Sequence, residues 1–175
     1  RAAGLPIVYG AELTLTPGAL RGIVPGTSAP GWGLAPGAED PGMRLPIVAA
    51  SPSGYAHLVG AMSDRALSEP GQRNPRHDLV NLSEAGGELV VLTGGRRGPL
   101  MRALRAGGLA PARRVLDGLV DAFGRDHVLV EWQAARGDED EVGDVLAELA
   151  RASGTRLVAT SGARMSSPSK QALGD

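Results

Sequence analysis

The chain contains no cysteine, which excludes a disulfide framework, a thiol nucleophile and any zinc or iron–sulfur centre held by thiolates. Aromatic residues make up only 3%: Phe123, Trp32, Trp132, Tyr9 and Tyr55. A core must therefore be built from Leu, Val, Ala and Ile, and the 42% apolar content is enough for one. Net charge is also nearly absent. Eighteen basic against nineteen acidic residues give −1, so the basic footprint of a free-standing nucleic-acid binder is missing. No apolar run reaches the ~18 residues a membrane span needs, and no signal-peptide pattern stands ahead of the first strand. A cytoplasmic protein without a membrane partner is expected. Lys170 is the one lysine, so positive charge is almost all arginine.

What is present fits one domain or part of one, since 175 residues lie near the usual domain size. Arg1-Ala2-Ala3-Gly4 reads as a helix end with a glycine cap, and Ser167-Pro168 as a helix start. Both termini thus look cut within structure, and a fragment is expected. Between them, strand and helix signals alternate. Leu5–Leu15 is β-type and closes on Gly10-Ala11-Glu12; residues 16–43, rich in Pro and Gly, read as a long flexible loop. Leu45–Ala50 is a short buried strand, and Gly54–Leu67 a helix with Tyr55, Leu58, Val59 and Met62 on one stripe. Pro70–His77 reads as polar loop and Asp78–Glu84 as a short helix. Glu88–Thr93, His127–Trp132 and Arg156–Thr160 are strands; Pro99–Ala106, Ala110–Phe123 and Asp138–Ala152 are helices. The alternation predicts an α/β fold with a parallel sheet or barrel.

In such folds the chemistry sits at the C-terminal ends of the strands. Here those positions hold Gly10-Ala11-Glu12, Ala49-Ala50-Ser51, Thr93-Gly94-Gly95-Arg96, Glu131-Trp132 and Thr160-Ser161-Gly162. The string Gly4-Leu5-Pro6-Ile7-Val8-Tyr9-Gly10-Ala11-Glu12-Leu13 resembles a strand of the PHP (polymerase and histidinol phosphatase) domain that opens bacterial DNA polymerase III alpha subunits. Leu45–Ala50 with Gly54-Tyr55, then Leu89–Gly98, then Leu157–Ala163 match further segments of that family in order. The wording around Gly10-Ala11-Glu12 and Thr160–Ala163 is most similar to the error-prone paralogues of damage-induced synthesis.

The resemblance implies a partial, distorted (β/α)7 barrel, with 1–175 forming the C-terminal two-thirds of one PHP-like domain. Family members hold up to three divalent metals, which bridge a phosphate and lower the pKa of a bound water. Carried over position by position, little of that ligand set is left. Glu12 keeps the Gly-x-Glu carboxylate, as a single remnant metal ligand. Arg44 stands at a histidine position, Gly95 at a cysteine position, and Gly162 and Arg164 at the final Asp and His. Arginine offers no lone pair to a metal. No cofactor is therefore expected on this segment, and no catalytic residue. By the same resemblance the parent is a nucleotidyltransferase using Mg²⁺, with DNA and deoxynucleoside triphosphates as partners of the polymerase module of the same chain.

His57, His77 and His127 show no paired metal spacing and read as surface or half-buried residues. Gly94-Gly95-Arg96-Arg97-Gly98 offers backbone N–H groups and two arginines, so Arg96 and Arg97 are candidate phosphate contacts, against a turn that serves only the fold. Asp138–Glu141 suits a helix's first turn. Trp132 suits core or rim packing. Three functions follow: a scaffold PHP segment of an error-prone polymerase, an active metal-dependent phosphoesterase or 3′–5′ exonuclease of the same superfamily, and an unrelated α/β interaction domain. In the second, Arg44 and Arg164 would clamp phosphate.

Overall fold

The computed structural model describes residues 7–16, 18–20, 42–68, 71, 75–133 and 139–161. They form a mixed α/β structure around a six-stranded sheet: β1 (Gly10–Leu15), β2 (Met43–Ala49), β3 (Arg76–His77), β4 (Leu89–Leu92), β5 (Val128–Gln133) and β6 (Arg156–Thr160). The strand order is β3-β1-β2-β4-β5-β6. The helices are α1 (Pro52–Ser68), α2 (Val80–Ser83), α3 (Pro99–Gly107), α4 (Leu109–Phe123) and α5 (Glu139–Ser153).

The expected parallel sheet is corrected by β2. It pairs antiparallel with β1 (Leu13 opposite Leu45) and with β4 (Ile47 opposite Val91), while β1–β3, β4–β5 and β5–β6 are parallel. Five described strands therefore point one way and β2 the other. The short apolar run of β2 fits a strand but carries no direction, because its neighbours and not its own residues decide that. Within the described residues the sheet is open, with β3 and β6 at its edges.

The local signals explain the helices. Ser51 caps α1 by accepting the Gly54 N–H at 3.0 Å, and Pro52 occupies the first turn, where a missing N–H costs nothing. Pro99 does the same for α3. Gly108, at φ 75°, ends α3 with its N–H on the Leu104 carbonyl and lets the chain turn at once into α4. Every helix sends leucines or their equivalents into one core: Leu58 from α1, Leu82 from α2, Leu100 from α3, Leu116 and Phe123 from α4, Leu146 from α5. These meet Leu13, Leu15, Leu45, Ile47, Leu89, Val91, Val128 and Val130, alternate residues on one face of the sheet.

Several expectations shift. Ile7, Val8 and Tyr9 precede β1 and are exposed, so the first strand is shorter than its β-type run. On α1 the core side is Gly54 and Leu58, while Tyr55, Val59 and Met62 face outward. The presumed loop before Asp78 contains β3, which pairs with Thr14 and Leu15, and His77 there is buried. Most of the proposed flexible loop lies outside the described residues. At its start, however, Ala19 and Leu20 are buried in the core, with the Ala19 N–H on the Thr16 carbonyl.

Candidate functional site

Because β2 is reversed, one edge of the sheet gathers the C-terminal ends of β1, β3, β4, β5 and β6 and the N-terminal end of β2. This edge brings together Arg44, the Gly94–Gly98 turn, Glu131, Gln133 and Thr160. Ala49-Ala50-Ser51 falls at the opposite edge, which removes it from the expected set. Glu12 lies within β1, opposite Pro46, and not at a strand end.

Glu12 and Arg44 belong to the sheet face turned away from the helices. The Arg44 Nη1 donates to Glu12 Oε2 at 2.9 Å, with the side chains 26% and 36% exposed respectively. They sit in diagonal cross-strand positions, since Arg44 itself pairs with Thr14, a spacing that long side chains bridge. The Arg44 Nε is buried without a hydrogen-bond partner.

The turn after β4 is shaped by its neighbours. Gly94 adopts φ 73° and packs so closely on the Arg44 carbonyl and on Gly98 that a side chain there would collide with backbone. The Arg44 N–H donates to the Arg97 carbonyl at 2.9 Å, and Gly98 N–H to Gly95 carbonyl at 2.8 Å. Gly95 seats the Gln133 amide, which a methyl group would displace. Arg96 and Arg97 are exposed on the outside of this turn, and Arg105 Nη1 donates to the Arg96 carbonyl at 3.1 Å. Gly162 and Arg164 lie outside the described residues, as does the acidic residue Asp138.

Glu131, one of the strand-end positions read from the sequence, has a role there that the sequence did not assign. It is 3% exposed. Its N–H donates to Thr93 Oγ1 at 2.9 Å. Its Oε1 accepts from Thr160 Oγ1 at 2.5 Å and from Gln133 Nε2 at 3.1 Å. Its Oε2 is buried with no partner. The side chain thus ties the ends of β5 and β6 together, while the main chain is tied to the end of β4. A signal was present: in Val128-Leu129-Val130-Glu131-Trp132-Gln133, Val128, Val130 and Trp132 face the helices, so Glu131 and Gln133 must share the other face. Trp132 packs partly into the core and against Gly143 of α5, in agreement with its expected packing role.

His57 and His127 lie apart from this edge, while His77, which ends β3 on it, is buried beside α1. His57 Nε2 lies 2.8 Å from the Asn81 carbonyl, and the His127 ring packs on Gly87. His57 and His77 both line a cavity of about 580 Å³ beside β3, along with Asp64, Arg65, Arg76 and Asp78. Burial first, and the Arg65 guanidinium second, hold the His77 imidazole below its ordinary value of 6.5. Among the described residues no group of three or more His, Cys, Asp or Glu side chains is placed to hold a metal ion. No helix among them is long and apolar enough to cross a membrane.

A mixed sheet with helices packed on one face defines an α/β class, and comparison with known families narrows it: the PHP domain model matches residues 1–135, and the chain belongs to that family. At the level of whole proteins, it is 38% identical over 168 residues to an error-prone DNA polymerase of Mycolicibacterium paratuberculosis, covering 95% of this chain and 14% of that one. It is 39% identical over 165 residues to an error-prone DNA polymerase of Cutibacterium acnes, covering 93% and 13%. An error-prone DNA polymerase of Mycobacterium tuberculosis is 36% identical over 168 residues. The chain therefore spans about one-seventh of the length of these relatives.

Proposed function

We propose that this stretch is the scaffold PHP domain of an error-prone DNA polymerase, holding the polymerase portion of the same chain and carrying no metal chemistry of its own. The observation behind this is the Glu12–Arg44 ion pair at 2.9 Å. The one carboxylate retained from the family's ligand pattern is already paired with a cation, the guanidinium of the residue standing at a ligand histidine's position. A metal would have to displace a guanidinium that cannot lose its charge. Gly95 offers no donor atom in place of a cysteine, and its lack of a side chain is used instead to seat Gln133. The residues present do not fit a multimetal centre.

On this reading the turn Gly94–Gly98 serves the fold, with Arg96 and Arg97 left as surface residues. The sheet face carrying Glu12, Pro46, Val48, Leu92 and Leu129 becomes the inside of a (β/α)7 barrel closed by strands beyond the described ones. Synthesis of DNA from deoxynucleoside triphosphates with Mg²⁺, in damage-induced replication, is then the work of the parent's polymerase portion. The names of the relatives support this.

The test compares the full-length protein with its Glu12→Gln variant. Primer extension should be equal in the two, and Mn²⁺ stoichiometry followed by electron paramagnetic resonance should not change. Loss of one bound Mn²⁺, together with loss of a 3′–5′ exonuclease activity in the variant, would establish the metal-dependent exonuclease instead. Absence of primer extension from both would remove the polymerase reading.

A further inference from the structure

Charge is not spread evenly along the chain. Residues 89–116 hold six arginines, Arg96, Arg97, Arg102, Arg105, Arg113 and Arg114, and no Asp or Glu. The rest of the chain holds twelve basic and nineteen acidic residues, so a total near zero conceals a positive stretch inside an acidic remainder. Folding keeps four of the six together. Arg96 and Arg97 are exposed on the turn ahead of α3. Arg102 and Arg105, three residues apart, share one side of that helix, and the Arg105 Nη1 reaches back to the Arg96 carbonyl at 3.1 Å. No acid stands in the first turn of α3. On α4, by contrast, Arg113 already faces Asp117 at 3.9 Å.

We propose that Arg96, Arg97, Arg102 and Arg105 form a contact for the phosphate backbone of the primer–template DNA on which the parent protein works. The inference rests on the reading that the stretch belongs to a DNA polymerase. Three points select DNA as the occupant. First, the rest of this chain has no surplus of negative charge to lay over the patch: the residues and side chains outside the described ones hold seven acids and six basic groups. Second, the dimensions agree. At 1.5 Å per residue the nine residues of α3 are about 14 Å long, roughly the rise of four phosphates along one strand of a duplex. Third, every cation in the group is a guanidinium, whose fork fits phosphate oxygens. Its five N–H donors also mean that a contact within the chain, such as that of Arg105, leaves donors for an oxygen outside it. A backbone contact of this kind carries no base preference, as suits a polymerase that must move along any template.

The experiment measures binding of the full-length protein to a primer–template duplex by fluorescence anisotropy, between about 50 and 200 mM KCl. Each arginine on a phosphate adds about one to the slope of log affinity against log salt. Arg96→Gln combined with Arg105→Gln should therefore lower that slope by about two, and equally for duplexes of different sequence. The pair Arg125→Gln and Arg156→Gln removes the same charge from the opposite edge of the sheet, ahead of β5 and at the start of β6, and should leave the slope unchanged. Equal loss of slope from both pairs overturns the proposal, because it would report only the overall field of the protein. An unchanged slope in the first pair overturns it too; joined to a lower melting temperature, that result would assign the arginines to an acidic face of the parent chain. Arg97→Gln with Arg102→Gln repeats the test without breaking the Arg105–Arg96 hydrogen bond, and should show the same loss of about two. No binding of the duplex by the wild type would remove the polymerase reading along with this contact, whereas binding with an unchanged slope in the variants would remove the contact alone.

Discussion

On one face of the sheet, Leu13, Leu45, Ile47, Val91 and Val130 meet five helices in a core of aliphatic side chains with almost no exposure. On the opposite face the same strands present Glu12, Thr14, Arg44, Pro46, Leu92 and Glu131, a mixture of charge and half-buried aliphatics. The difference lies in what each face demands of its residues. The helix-covered face needs volume matched to volume, because close-packed interiors tolerate no lost methyl groups. The other face holds polar groups in specific pairings and leaves two atoms unsatisfied, the Arg44 Nε and the Glu131 Oε2. The first face makes the fold, and the second carries an ion pair and a buried carboxylate clamp.

Substitutions can separate these two faces. The largest effect is expected on the covered side: Leu116→Ala, at a fully buried position on α4, should cost about 2–5 kcal/mol, read as a shift in the denaturation midpoint of the full-length protein. A cost below about 1 kcal/mol would mean that the helix layer is not packed as described.

A smaller effect should come from the polar exception on the same side. His77 is buried and its pKa is lowered, so the unfolded chain binds a proton that the folded chain resists. Stability is then unaffected above pH 6.5, the ordinary histidine value, and falls as pH drops from there towards the lowered folded value, below which the slope flattens. Melting temperature measured against pH should show this fall in the native sequence and less of it in His77→Gln. An identical slope in both would assign the acid sensitivity to other groups.

The smallest effect should lie on the open face. A double-mutant cycle on Glu12 and Arg44, using Glu12→Gln and Arg44→Met, should give a coupling of about 0.2–1 kcal/mol where the pair stays as open to water as the described residues leave it, 26% and 36% exposed. A coupling of several kcal/mol would show that the face is shielded from solvent in the full-length protein, as closure of a barrel over it would require.

Much of this was legible in the sequence, and what was not has identifiable causes. β4, β5 and β6 and the helices α3, α4 and α5 follow from apolar runs and period bounded by Gly and Pro, and their limits agree within a residue or two. Strand direction is not legible in the sequence, so β2 reads as parallel and its C-terminal residues fall at the wrong edge until its antiparallel pairing is seen. β3 was hidden because two residues carry no period. Tyr55, Val59 and Met62 were recognised as a stripe, but a stripe alone does not say which side of a helix faces the core when both are apolar. For the site, Glu12 and Arg44 were singled out and the structure brings them together. Glu131 stands among the strand-end positions read from the sequence, but the partners that give it a role, Thr93, Gln133 and Thr160, come together only in the fold.

The reversal of β2 has one more consequence. Leu15, the last residue of β1, stands opposite Met43, the first of β2. With 27 residues between them, 16–42, β1 and β2 meet at adjacent points on the same edge and are joined as a hairpin and not by a crossover. Closing such a connection costs only about 0.6 kcal/mol more for each doubling of its length. Insertions and deletions between positions 21 and 41 can therefore accumulate across a lineage without shifting the register of either strand. Sequence length there is free to drift while the pairing of Glu12 with Arg44 stays in place.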